Sequence, residues 1–138
     1  MYQKDVLGHE EMGRAANAIL EEASKEPSRP VSIALVDDRG DLRYFVMMSR
    51  ADVLTSYIPI NKAYTAARML MDTASVQGLL QQTGWELSWF GDNKLIPLPG
   101  GVPITKTDGT VLGAIGVGGR LPEEDAELAK IGIKAIGL

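Results

Sequence analysis

The sequence predicts an α+β fold, an antiparallel sheet of four to five strands with helices packed on one face. Two pairs of short, largely apolar runs are each joined by turn residues, Asp37-Asp-Arg-Gly40 in the first and Asp108-Gly109 in the second. The segments around them carry apolar residues at three- and four-residue spacing, the signature of amphipathic helices. Strands joined by hairpins with helices between them give an antiparallel sheet bearing helices, in the order α-β-β-α-α-β-β-α.

The first helix is expected over Leu7–Lys25, with Met12, Ala15, Ala16, Ile19, Leu20 and Ala23 on its apolar stripe and Pro27 and Pro30 closing it. Val31–Val36 and Leu42–Met48 form the first hairpin. Leu42, Tyr44, Val46 and Met48 share one face of the second strand and Arg43, Phe45 and Met47 the other, so both faces are largely apolar. Such a strand is expected to be covered on both sides, by helices and by more protein or a partner subunit.

A helix over Thr55–Leu70 follows, with Thr55 or Ser56 as N-cap and Pro59 in its first turn. Ala63, Ala66, Ala67 and Leu70 line one stripe, and Lys62 and Thr65 lie beside it. Asp72 or Thr73 caps a shorter helix to Gln82, closed by Gly84. Trp85–Pro99 is irregular and holds Trp85, Trp89 and Phe90, with a short fifth strand expected at Leu95–Leu98. Aromatics gathered in a loop serve either as a ligand wall or as an anchor to the core or a neighbouring subunit. Ile104–Thr107 and Thr110–Val117 form the second hairpin, and a last helix runs from Leu121 to Ile136 with acidic residues in its first turn.

The second hairpin carries Gly113, Gly116, Gly118 and Gly119, and glycine within a strand marks a bulge or a close backbone approach. A phosphate cradle needs G-x-G-x-x-G between strand and helix, or Gly-Lys-Ser/Thr closing a loop, and neither is present. The acidic Pro122-Glu-Glu-Asp125 that follows would repel an anion. Tight packing is the reading that remains.

The 138 residues are expected to form a single domain, residues 1–138, of ordinary globular composition with 45% hydrophobic and 23% charged residues. A net charge of -4 without a basic run argues against nucleic acid, and no apolar run approaches the length of a membrane span. The absence of cysteine excludes disulfides and thiolate chemistry and fits a cytoplasmic protein.

Several motifs together resemble the GlcG/HbpS-like family, which includes haem-binding HbpS and the C-terminal domain of PduO-type proteins. They are Val31-Ser-Ile-Ala-Leu-Val-Asp-Asp-Arg-Gly40, Asn61-Lys-Ala-Tyr-Thr-Ala-Ala67, Gly100-Gly-Val-Pro-Ile104, Asp108-Gly109, Gly113-Ala-Ile-Gly-Val-Gly-Gly119 and Glu124-Asp125. The resemblance spans nearly the whole chain and implies a profilin-like domain that assembles into homo-oligomers. It also implies haem as a candidate cofactor, held through histidine. This chain has one histidine, His9. Where relatives often read Met-Asp-Gly-Ala it reads Met48-Ser49-Arg50-Ala51. Asp41 and Gly118 stand where relatives carry histidine and serine. The departures fall on polar positions while the packing residues are kept, which points to the same fold with an altered ligand.

The expected site is a cavity between the Ala63–Leu70 helix, the Gly100-Gly101 turn and the Trp85–Phe90 loop. Its expected ligand contacts are His9, Met48, Lys62, Ala66, Trp89, Gly100 and Gly101. Lys62 is the leading polar candidate, since a lysine beside an apolar pocket can bind a carboxylate or serve as a base; the bland alternative is that it caps carbonyls of the hairpin. His9 is the candidate axial ligand and Arg50 a bidentate carboxylate clamp. No metal site is expected from one histidine and turn aspartates. The preferred reading is a small-molecule-binding protein, its ligand haem or, by preference, an altered small organic ligand. The alternatives are a cofactor-independent isomerase, lyase or cyclase using Lys62 or His9 as acid/base with Arg50 orienting substrate, and a structural partner of a larger enzyme.

Overall fold

The computed structural model describes residues Met1–Leu138. The elements follow in the expected order: α1 (His9–Ala23), β1 (Ser32–Asp37), β2 (Leu42–Met47), α2 (Leu54–Met69), α3 (Thr73–Thr83), a 3-10 turn (Leu87–Phe90), β3 (Gly101–Thr105), β4 (Val111–Gly118) and α4 (Pro122–Ile136). The four strands form one antiparallel sheet in the order β2-β1-β4-β3. Leu95–Leu98 is not a strand; Leu95 is buried, and the Ile96 N–H is taken by the Thr65 hydroxyl (2.9 Å) rather than by a neighbouring strand.

Helices cover both faces of the sheet, not one. Every residue of β1 is buried, and its side chains alternate between two cores. Val31, Ile33 and Leu35 join Ile115 and Val117 under α1 and α4, the larger core. Ala34 and Val36 join Ala114 under Ala63, Ala66 and Ala67 of α2. The second core is thin because both surfaces are made of small residues. A Cβ on Gly116 of β4 would run into the Pro59 carbonyl, and one on Gly118 would lie 2.9 Å from the Pro59 ring, so the glycines let α2 lie almost backbone to backbone on the sheet. Leu70 does not share the alanine stripe; it caps α2 in the left-handed conformation (φ 58°) and is exposed.

Pro59 sits within α2, beyond the first turn, because the helix begins at Leu54. Asp52 supplies the cap that Thr55 or Ser56 was expected to give: its carboxylate accepts the Thr55 N–H at 3.1 Å. β2 is an edge strand rather than one covered on both sides. Tyr44, Val46 and Met48 pack on the α1 side and Phe45 on the α2 side, while Leu42 and Met47 stay exposed. The second hairpin begins earlier than its β-branched run suggests, at Gly101. Leu112 is an extra residue opposite Ile104 and Thr105, a bulge that puts Gly113 at φ 158°.

Candidate functional site

Lys62 lies on the buried side of α2, level with the Gly100-Gly101 turn. Its ammonium donates to the Val117 carbonyl at 2.8 Å and to Asp125 Oδ2 at 3.1 Å. Asp125, in the first turn of α4, is equally buried, and its other carboxylate oxygen accepts the Arg120 N–H at 3.1 Å. The pair therefore ties the helix on one face of the sheet to a helix on the other, around the end of β4. Burial pushes Lys62 below the ordinary lysine value and Asp125 above the ordinary carboxylate value, and each shift is opposed by the partner's charge.

No cavity separates α2 from the glycine turn. A Cβ on Gly100 would lie 2.7 Å from Lys62 Nζ, and one on Gly101 would overlap the Lys62 carbonyl and the Thr73 methyl. The Gly101 N–H is instead bonded to Thr73 Oγ1 at 3.0 Å. Ala66 is fully buried against the sheet. The cavity expected between α2, this turn and the aromatic loop is thus filled by direct packing.

The remaining candidates stand apart from this seam, and Trp89 and His9 also stand apart from each other. Trp89 is 66% exposed on the 3-10 turn, and Trp85 meets Phe90 edge to face with ring centres 6.5 Å apart. The loop is held to α2 by the Tyr64 hydroxyl, which donates to Asp92 Oδ2 at 2.6 Å, with Arg68 stacked on the Tyr64 ring at 4.8 Å. Beneath that turn an open bowl of about 600 Å³ is lined by Leu87, Ser88, Gly91, Asp92, Asn93 and Leu95. His9 opens α1 and is exposed.

Met48 and Arg50 do come together. They line a groove of about 460 Å³ with Ser24, Pro27, Met47 and Ser49, beside the C-terminal end of α1. By helix rise that end lies about 20 Å from His9, so His9 and Met48, both expected as ligand contacts, do not meet in one site. No group of three or more His, Cys, Asp or Glu could hold a metal ion, and no helix is long and apolar enough to cross a membrane.

Sequence reasoning missed Asp125 as the partner of Lys62. Its place in an acidic first turn reads as a response to the helix dipole, and nothing in the spacing announces a partner 63 residues away. It also missed Ser24, Pro27 and Met47 as neighbours of Arg50. The one available signal was the proline break after α1, which turns the chain back toward β1.

A four-stranded antiparallel sheet between two helical layers, with a glycine-lined seam under α2, defines an α+β class of small domains. The chain belongs to the family described as "Haem degrading protein HbpS-like", whose family model matches residues 7–134. Protein GlcG of Escherichia coli K12 is 31% identical over 112 residues, covering 81% of each chain. A double mutant of Streptomyces reticuli HbpS superposes with TM-score 0.88 at 27% identity over all of this chain and 92% of that one. The PduOC:haem complex superposes with TM-score 0.86 at 25% identity over 96% of each chain.

Proposed function

We propose that this chain is a small-molecule-binding protein whose ligand is haem, with His9 as the single axial ligand. The observation that carries the reading is the haem complex of PduOC, a chain of the same fold along nearly its full length. The donor set fits in part. His9 is the chain's one histidine, exposed and free to present a ring nitrogen, and one protein ligand suffices to hold haem iron. Met48 does not fit as a second ligand, because its sulfur accepts the Val31 N–H at 3.4 Å at the other end of α1. Bound haem would supply an iron centre, and His9 is the residue that would hold it.

The proposal includes self-association, which would cover apolar side chains that one chain leaves in water, among them Val53, Leu54, Tyr57, Trp89 and Phe90. Titration of the purified protein with haemin, followed at the Soret band, tests the reading. Saturation at a fixed haem-to-chain ratio is expected; a shift that grows without saturating would overturn it. Light scattering after size exclusion reads the subunit number, and a monomer at micromolar concentration would remove the self-association.

A further inference from the structure

We infer that the groove at the end of β2 is a second binding site, for a carboxylate carried on a short apolar tail, with Arg50 as its charge partner. Arg50 is the only charged residue among the six that line the groove, and it makes no ion pair or hydrogen bond within the chain. Glu22 and Glu26 at that helix end are engaged, with Lys25 at 2.7 Å and Arg29 at 3.2 Å, and Asp52, two residues beyond Arg50, accepts the Thr55 N–H at 3.1 Å. The Arg120 guanidinium donates to the Ala23 carbonyl that ends α1 at 2.9 Å and to Glu26 O beyond it at 3.3 Å. The Arg120 cation offsets the negative end of the helix, and Arg50 is left without an ion-pair partner.

The backbone singles out the same residue. Arg50 stands at φ 72°, a left-handed conformation that crowds a residue with a Cβ and that glycine adopts freely. The turn is closed by the Ala51 N–H on the Met48 carbonyl at 3.1 Å. A strained position occupied by a long cation at the mouth of a groove is the kind of outlier that accompanies ligand contact. The other lining residues set the rest of the ligand. Ser24 and Ser49 can donate to a carboxylate oxygen, and a guanidinium can engage both oxygens at once. Met47, Met48 and Pro27 offer an apolar, adaptable wall for a short tail. The volume suits a small molecule, and the site lies about 20 Å from His9 along α1, so it stands or falls independently of haem.

The test follows the methyl resonances of carbon-13-labelled methionines while hexanoate is added. The chain has six methionines, which gives four internal controls. Saturable shifts confined to Met47 and Met48 are expected, with 1-hexanol and inorganic phosphate each binding at least tenfold more weakly. R50G, which relieves the backbone and removes the charge, should keep or raise the thermal midpoint and weaken hexanoate at least tenfold. Equal binding of hexanol would make the groove merely greasy, and equal binding of phosphate would make it a bare anion site. Either result overturns the inference, as would wild-type affinity in R50G or no saturable shift at all.

Discussion

The seam under α2 and the groove at the end of β2 are built from opposite materials. At the seam a buried lysine stands beside alanines and glycines, which in sequence looks like a pocket with a polar handle. In the folded chain the alanines and glycines let backbones meet, and the lysine is spent on Val117 and Asp125. At the groove an arginine follows two methionines in an ordinary strand end, yet it keeps a free charge, an unfavourable φ and open space. Small residues around a buried cation mark a joint; an unpaired cation on a strained turn marks a place for a ligand.

That contrast breaks most visibly at Gly116. Gly116→Ala drives a methyl into the Pro59 carbonyl and the Ala63 amide, both backbone, and should cost more than about 3 kcal/mol in urea unfolding. A variant of wild-type stability would mean that α2 does not lie flush on the sheet.

Of similar size is the effect at the buried pair. Lys62→Met leaves Asp125 uncompensated and should cost about 3–5 kcal/mol, whereas the double variant Lys62→Met/Asp125→Leu should recover most of the loss. The cycle is read from urea midpoints, and no recovery in the double variant would mean that the two residues act separately.

The pair's titration sharpens the same point. Asp125 holds its proton to higher pH in the folded chain than in the unfolded one, so its contribution is full below about pH 3.8 and is lost as pH rises through its raised value. Lys62 mirrors it: its contribution is full above about pH 10.5 and is lost as pH falls through its lowered value. Wild type should therefore lose stability relative to the double variant as pH rises from about 3.8 through the raised Asp125 value. A relative gain over that range would show that pairing outweighs burial.

The smallest expected effect lies on the aromatic loop. Trp89→Ser removes a side chain that is mostly in water and should change the stability of the isolated chain by less than about 0.5 kcal/mol. A larger loss, or a change in subunit number by light scattering, would place Trp89 in a contact between copies.

What was legible in the sequence was local. The hairpin turns were readable because Asp37 must accept the Arg39 and Asp41 amides, both at 3.0 Å, and because Gly40 and Gly109 take positive φ. Helix α1 was readable from its period, with both ends within two residues, and Glu11 reaches back to the Gly8 N–H at 2.8 Å to set its start. The glycines of β4 announced a close approach, but a glycine says only that something comes near, and a helix and a ligand leave the same mark. The second helical layer hung on that ambiguity.

The rest depended on long-range placement. Asp125 is identified as a partner only once α4 is laid across the end of β4. Arg50 reads as any surface arginine until its backbone conformation and its lack of a partner are seen. Even the family resemblance carried the fold more firmly than the site, because the polar positions are where this chain departs from the pattern.

The most direct test of the account is a haemin titration read at the Soret band in three proteins: wild type, His9→Ala, and Lys62→Met/Asp125→Leu. The same saturable curve is expected for wild type and the seam variant, with loss of the saturable component in His9→Ala. A curve that survives His9→Ala and disappears with the seam variant would contradict it, placing the ligand at the joint that the structure fills with packing.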